Sequence, residues 1–91
     1  MLPVVWSLEA LDALEDIIAY VEERNVNAAG RLRALIETAA ERFPLHPYLY
    51  RPGRVAGTRE AVVHPNYIIV YRVAQDHILI VAVLHARQQY P

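Results

Sequence analysis

The sequence predicts an α+β domain in which an N-terminal strand and a two-helix hairpin pack on an antiparallel sheet, in the order β-α-α-β-β-β. Three observations predict it. Two segments of the first half repeat apolar residues at spacings of three and four, the period of a helix with one buried face. Three short segments of the second half are rich in Val, Ile and Tyr and are separated by turn formers. Between the halves, residues 43–57 hold Pro44, Pro47, Pro52, Gly53 and Gly57, and read as an ordered surface loop.

Residues 3–6 are β-prone, and Ser7 then stands where an N-cap would accept orphan amide protons, with Glu9 and Asp12 early in the helix to suit its dipole. A helix starting near Leu8 carries the stripe Leu11, Leu14, Ile18 and Val21, widened by Ile17, with Glu9, Asp12, Asp16 and Glu23 mostly on the other side. Asn25 and Asn27 interrupt the pattern and can cap a second helix, whose stripe of Leu32, Leu35, Ile36, Ala39 and Phe43 ends before Pro44. After the loop, residues 58–63, 67–73 and 78–84 form a three-stranded meander, with turns at His64-Pro65-Asn66 and Gln75-Asp76. The last strand is apolar at every position, as expected of a central strand covered on both faces, yet a helical hairpin covers only one. The second face falls either to the first strand, the loop or the C-terminal tail, or to a partner protein.

At 91 residues the chain is expected to form one domain, residues 1–91. A hydrophobic content of 55% against 21% charged residues excludes disorder. There is no cysteine, so neither a disulfide framework nor a thiolate metal site is available, and a reducing compartment, the cytoplasm, is expected. The four histidines are scattered without metal-ligand spacing, and no cofactor or metal site is expected. No basic and apolar leader opens the chain, and its longest apolar run, residues 78–84, is too short to span a bilayer, so secretion and membrane insertion are not expected. The net charge of −1 hides an asymmetry. Residues 1–23 carry six acids and no base, whereas residues 24–91 carry nine Arg against four acids. No Lys is present, and Arg offers a planar fork suited to carboxylate and phosphate; an arginine-rich codon preference is the competing explanation.

Several phrases, in order, resemble the RelE/ParE superfamily of toxins from type II toxin–antitoxin systems, proteins also called plasmid stabilisation proteins. Trp6-Ser7 followed by Ala10 and residues 12–18 is similar to an opening of the form A-x-x-D-L-x-x-I. Arg51-Pro52-Gly53-Arg54, Gly57-Thr58-Arg59-Glu60, residues 67–72 and residues 83–91 resemble the central loop, second strand, third strand and tail of that superfamily. Each phrase is short, and the specificity lies in their order over nearly the whole chain. The resemblance implies a RelE/ParE-like fold and a growth-inhibiting toxin neutralised by a cognate antitoxin, ParD-like or similar, in a hetero-oligomeric complex.

Two branches of that superfamily imply different chemistry. In the ribosome-dependent mRNA endonucleases, 2′-hydroxyl attack needs phosphate-binding cations and a proton carrier. By position, Arg59, His64, His85, Arg87 and Tyr90 match those places, with His85 or His64 as the base and Arg87 or Arg59 facing the phosphorane. Against this, docking on ribosomal RNA draws on neutralised phosphates, and a chain without Lys and at net charge −1 is poorly equipped for it. The ParE-like branch, which the reading favours, acts by binding DNA gyrase. For it Arg51, Arg54, Arg59, Arg87 and Tyr90 are the expected target contacts, since Arg and Tyr commonly anchor interfaces. Structural roles compete at each position. Arg59, Glu60 and Arg72 also read as cross-strand charge pairs on the solvent face, His64 and His46 as turn and loop residues, and Tyr67 and Tyr71 as packing on one sheet face. Tyr48 and Tyr50 in the loop have no role readable from spacing.

Overall fold

The computed structural model describes all 91 residues. Strand β1 (Val4–Trp6) leads into helices α1 (Leu8–Glu22) and α2 (Val26–Glu41), then a 3₁₀ turn (Phe43–Leu45), and strands β2 (Arg51–Pro52), β3 (Arg59–His64), β4 (Tyr67–Val73) and β5 (Ile78–His85). Both helix starts are capped as their sequences predict. The Ser7 side chain accepts from the Ala10 N–H at 3.0 Å, and that of Asn25 from the Ala28 N–H at 2.9 Å. Ser7 also donates its own N–H to the Ile80 carbonyl, so the start of α1 is tied to the sheet. No helix is long and apolar enough to cross a membrane.

The sheet has five strands in the order β1-β5-β4-β3-β2. The meander β3-β4-β5 is antiparallel as expected, but β1 joins β5 in parallel, Val4 opposite Ile78 and Trp6 opposite Ile80, so the sheet as a whole is mixed. The loop expected over residues 43–57 contributes the additional strand, β2, whose two residues pair with Arg59 and Glu60. Sequence signals missed it because one of those two residues is a proline, which fits a strand only at an edge.

The helical hairpin covers one face. Its buried residues are Ala10, Leu14 and Ile18 on α1 and Ala29, Leu32, Ile36 and Ala40 on α2, while Leu11 and Leu35 are partly exposed. Leu14, Ile18, Leu32, Ile36 and Phe43 of the expected stripes are buried, and the difference lies at the margins, where Ala10, Ala29 and Ala40 replace Leu11 and Leu35 at the contact, because small side chains let a helix approach its neighbour closely. Opposite them lie Ile69, Tyr71, Ile78, Ile80 and Val83. A register shift beside Val70 and Tyr71 sets Val81 out of the ladder, which is how Ile80 and Val83, three apart, both reach the helical face.

The alternate residues Ile68, Val70 and Leu84 face the other way and are also buried. The C-terminal tail closes that face, with Tyr90 packed against them. It is held in place by the Ala86 N–H donating to the Asn66 carbonyl at 2.7 Å and by a turn in which the Gln88 N–H donates to the His85 carbonyl. The tail was one of the sequence-based candidates for covering this face.

At the loop end, Tyr71 stacks on Phe43 with ring centroids 4.2 Å apart, Tyr50 meets both edge-on, and the Tyr71 hydroxyl donates to the Pro47 carbonyl at 2.6 Å. Tyr71→Phe keeps the stack but strips that carbonyl of its donor, with an expected loss of about 1–2 kcal/mol in urea denaturation. Burial pushes the Tyr71 phenol up to about 12, opposed by the charge of Arg59 and assisted by Tyr50. The folded chain thus holds this proton more tightly than the unfolded one, whose phenol ionises near 10.0, and stability falls as pH rises from one value toward the other. Tyr71→Phe should remove that alkaline component, which denaturation at pH 9 and 11 would measure.

Candidate functional site

Strand β3 grips the loop from both sides of the sheet, because its successive side chains point to opposite faces. On the helical side, Arg59 donates to the carbonyls of Tyr48 at 3.1 Å and Tyr50 at 2.6 Å, with its guanidinium 5.0 Å from the Tyr48 ring centroid. On the other side, Glu60 is 3% exposed and sits opposite Val70 in the ladder. Its carboxylate accepts from the Arg54 backbone N–H at 2.8 Å and side-chain Nε at 3.2 Å, and from Arg51 Nη2 at 3.3 Å. Desolvation pushes this carboxyl up, but the Arg54 N–H, the Arg54 charge and the two side-chain hydrogen bonds outweigh it, so Glu60 lies below the ordinary carboxylate range. Arg72, also on this side, donates to the Ala56 carbonyl at 3.3 Å and passes 2.7 Å from where a Cβ on Gly57 would lie; Gly57 has φ +81°.

The opposite end of the sheet carries a row of three rings, His64, Tyr67 and His85, on adjacent strands. Their centroids are 5.4 and 5.6 Å apart, with His85 edge-on to Tyr67. Each imidazole is committed locally. His64 Nδ1 accepts from the Asn66 N–H at 3.0 Å, and His85 Nδ1 from the Arg87 N–H at 3.1 Å. Beside this row a recess of about 440 Å³ opens between α1 and the sheet, with Asp16 and Tyr20 on one wall and His85 and Gln88 on the other.

The residues expected to act together in RNA cleavage are divided among these places. His64 and His85 flank Tyr67, whereas Arg59 starts the same strand as His64, about 16 Å away at about 3.3 Å per residue. Tyr90 packs on the face away from the helices, and Arg87 is exposed. Among the expected target contacts, Arg51 and Arg54 are half exposed and spend part of their guanidinium on Glu60, and Tyr90 is half-buried. The solvent-face pairing read for Arg59, Glu60 and Arg72 is corrected. Glu60 is buried and Arg59 turns inward to the loop carbonyls, because the tail and loop cover surface that an isolated meander would expose. Tyr67 and Tyr71 pack in the core, as their alternation predicts. Glu60 is the residue sequence reasoning undervalued. The signal was available, since a carboxylate sharing a strand face with Val62 and Val70 needs a cation.

The family model for the ParE toxin of the type II toxin–antitoxin system, parDE, matches residues 4–90. The chain is 44% identical to the putative toxin Y4kP of Sinorhizobium fredii over 94% of its own length and 90% of that protein. It is 38% identical to toxin RelE2 of Caulobacter vibrioides, covering 94% of this chain and 97% of the other. Among solved structures, the fold is similar to a chain of the chromosomal ParDE system of P. aeruginosa, with a TM-score of 0.84 at 18% identity over 93% of this chain and 96% of that one.

The loop grip has a measurable acid dependence. Glu60 is depressed in the folded chain, so its contribution is complete above the ordinary carboxylate value of 4.5 and is lost as pH falls through the lower, folded value. Glu60→Gln is expected to cost about 1–3 kcal/mol at pH 7. It should also flatten the stability profile below pH 4.5, as followed by denaturation across pH 3 to 7.

Proposed function

Because the chain belongs to the ParE toxin family of type II toxin–antitoxin systems, we propose that it arrests growth by binding DNA gyrase, and that a cognate ParD-like antitoxin holds it inactive in a hetero-oligomeric complex. In this reading it acts in the cytoplasm, on a protein target, and needs no proton relay. The relatives carry both ParE-type and RelE-type names, so likeness alone does not choose between gyrase and the ribosome. One observation supports the choice: the side chains that a nuclease would need together are apart. The histidines of the sheet end spend Nδ1 on backbone amides, Arg59 is engaged by the loop about 16 Å away at about 3.3 Å per residue, and Tyr90 lies on the other face. The absence of Lys and the net charge of −1 also favour a protein target over ribosomal RNA.

The test is to induce the chain alone in bacteria and follow DNA, RNA and protein synthesis separately, with gyrase supercoiling assayed in vitro. Gyrase-trapped breaks that precede any translation stop are expected. A translation stop with codon-positioned mRNA cuts and unaffected gyrase would replace this reading with the endonuclease one. His64→Ala and His85→Ala should leave growth arrest intact. Arg87→Ala, at an exposed tail position with no internal partner, should weaken gyrase inhibition about tenfold, the loss of one interface contact worth about 1.4 kcal/mol.

A further inference from the structure

Residues 1–23 hold six acids and no base, and the recess of about 440 Å³ between α1 and the sheet opens beside them. Its volume falls within the range of about 300–1,000 Å³ common to small-ligand sites. Asp16 is the one acid on its wall, and no arginine lines it; Arg24 and Arg87, the nearest in sequence, stand outside. The Asp16 carboxylate forms no ion pair and accepts no hydrogen bond, whereas Glu15 beside it takes two from Arg33. The remaining lining is aromatic, amide and apolar: Tyr20 and Tyr67, Asn66 and Gln88, and Ile17. His85 completes it and accepts the Arg87 N–H through Nδ1, a role open only to the uncharged ring. The recess therefore carries one formal charge, negative and without a partner.

We infer that this recess binds a guanidinium group, with Asp16 accepting two parallel N–H bonds and the rings of Tyr20 and Tyr67 flanking the plane. The Tyr20 ring is oriented before any ligand arrives. The Arg24 guanidinium carbon stands 3.7 Å from its centroid, and Arg24 Nη1 donates to the Tyr20 carbonyl at 2.8 Å. Arg24 lies four residues after Tyr20 and Asp16 four before, so they stand one helical turn to either side of the ring. Arg24 holds Tyr20 from outside the recess and leaves the side toward Asp16 open.

Chemistry narrows the ligand. An oxyanion would meet Asp16 as like charge to like charge. A metal ion would find one carboxylate and one imidazole and no third ligand. An ammonium satisfies Asp16 only as a point charge, whereas a guanidinium turns a two-pronged edge to the carboxylate and a flat face to the rings. Its methylene stem then lies along Ile17. Asp12, one turn before Asp16 on the same helix, adds to the attraction. The guanidinium belongs either to an arginine side chain of another protein or to a free guanidino compound. The site stands whether the toxin's target is gyrase or the ribosome.

Isotope-labelled full-length chain titrated with acetyl-arginine-amide tests it. Saturable amide shifts centred on Asp16, Tyr20, Tyr67 and His85 are expected, half-complete at about 1–5 mM, the scale of one charge-assisted pair on an open surface. Acetyl-citrulline-amide, which keeps the shape and lacks the charge, should bind about tenfold more weakly, and acetyl-lysine-amide, which keeps the charge and lacks the plane, about threefold. Asp16→Asn, at an exposed position without a partner, should weaken the arginine derivative about tenfold at an unchanged melting temperature, and Tyr20→Leu about threefold. Acetyl-Gly-Arg-Gly-amide and propylguanidine separate the two sources. Tighter binding of the peptide assigns the recess to an arginine side chain of a protein, and equal or tighter binding of propylguanidine to a free guanidino compound. Equal binding of the citrulline or lysine derivative, indifference to Asp16→Asn, shifts centred elsewhere, or no saturation by about 50 mM of the arginine derivative would each overturn the proposal.

Discussion

The architecture follows from a sheet whose two central strands are apolar on both faces and a chain that supplies helices for only one. Ile69 and Tyr71 point to the hairpin, while Ile68 and Val70, their neighbours in sequence, point away from it and are equally buried. Burying side chains of that size stabilises by about 1.5–3 kcal/mol each, so leaving the second face wet would cost a large part of a small domain's margin. The tail is what closes it. Once Tyr90 is committed to Ile68, Val70 and Leu84, residues 85–91 have a fixed course, set by the Asn66 carbonyl and the turn at His85. Their presentation to any target is therefore a consequence of packing.

The same two-sided strand logic organises the loop. Alternation along β3 sends Arg59 to the helical side and Glu60 to the other; Arg59 reaches the segment before β2, and Glu60 reaches β2 and the residues after it. Tyr71, opposite Arg59 in the ladder, adds a third hold through the Pro47 carbonyl. A loop rich in Pro, Gly and Tyr is thus ordered by three buried or half-buried polar contacts whose partners are mostly its own backbone oxygens, groups that would otherwise be unsatisfied. Glu60 is the strongest constraint among them. A carboxylate beside Val70 is tolerable only while Arg54 and Arg51 stay, which fixes where those two arginines can be.

Local chemistry was legible in the sequence. Ser7 and Asn25 cap the helices that follow them, as their positions predict, the turn signals bound the meander to within a residue, and an all-apolar last strand correctly implied a covered second face. What sequence could not give is anything set by where the chain returns in space. The parallel pairing of Val4 with Ile78, the two-residue strand at Arg51–Pro52 and the burial of Glu60 all depend on contacts far along the chain or on a register that period-two reasoning leaves open. The exchange of leucines for alanines at the margins of the helical stripes has the same origin. Leu11 and Leu35 fit the periodicity as well as Ala10 and Ala40 do, and only the close approach of the packed layers favours the smaller residues. For the site, the pattern supplied residue types but no distances, and so read as one constellation a set that lies on two faces and at two ends of the sheet.

The internal work of the arginines bears on what kind of surface remains. Arg24, Arg33, Arg51 and Arg54 are held by carboxylates, and Arg59 and Arg72 by backbone carbonyls. That leaves Arg31, Arg42 and Arg87 without a side-chain partner, two beside the β3 edge and one in the tail. Phosphate-driven docking on RNA gains affinity from many cations acting on one polyanion, and three free guanidinium groups in separate places are a weak basis for it. At a protein surface, by contrast, one well-placed arginine can anchor a contact, which is the kind of contribution the proposed reading asks of Arg87. Of nine arginines and no lysine, six are spent on holding the loop and the helices, so composition overstates how much cationic surface the folded chain presents.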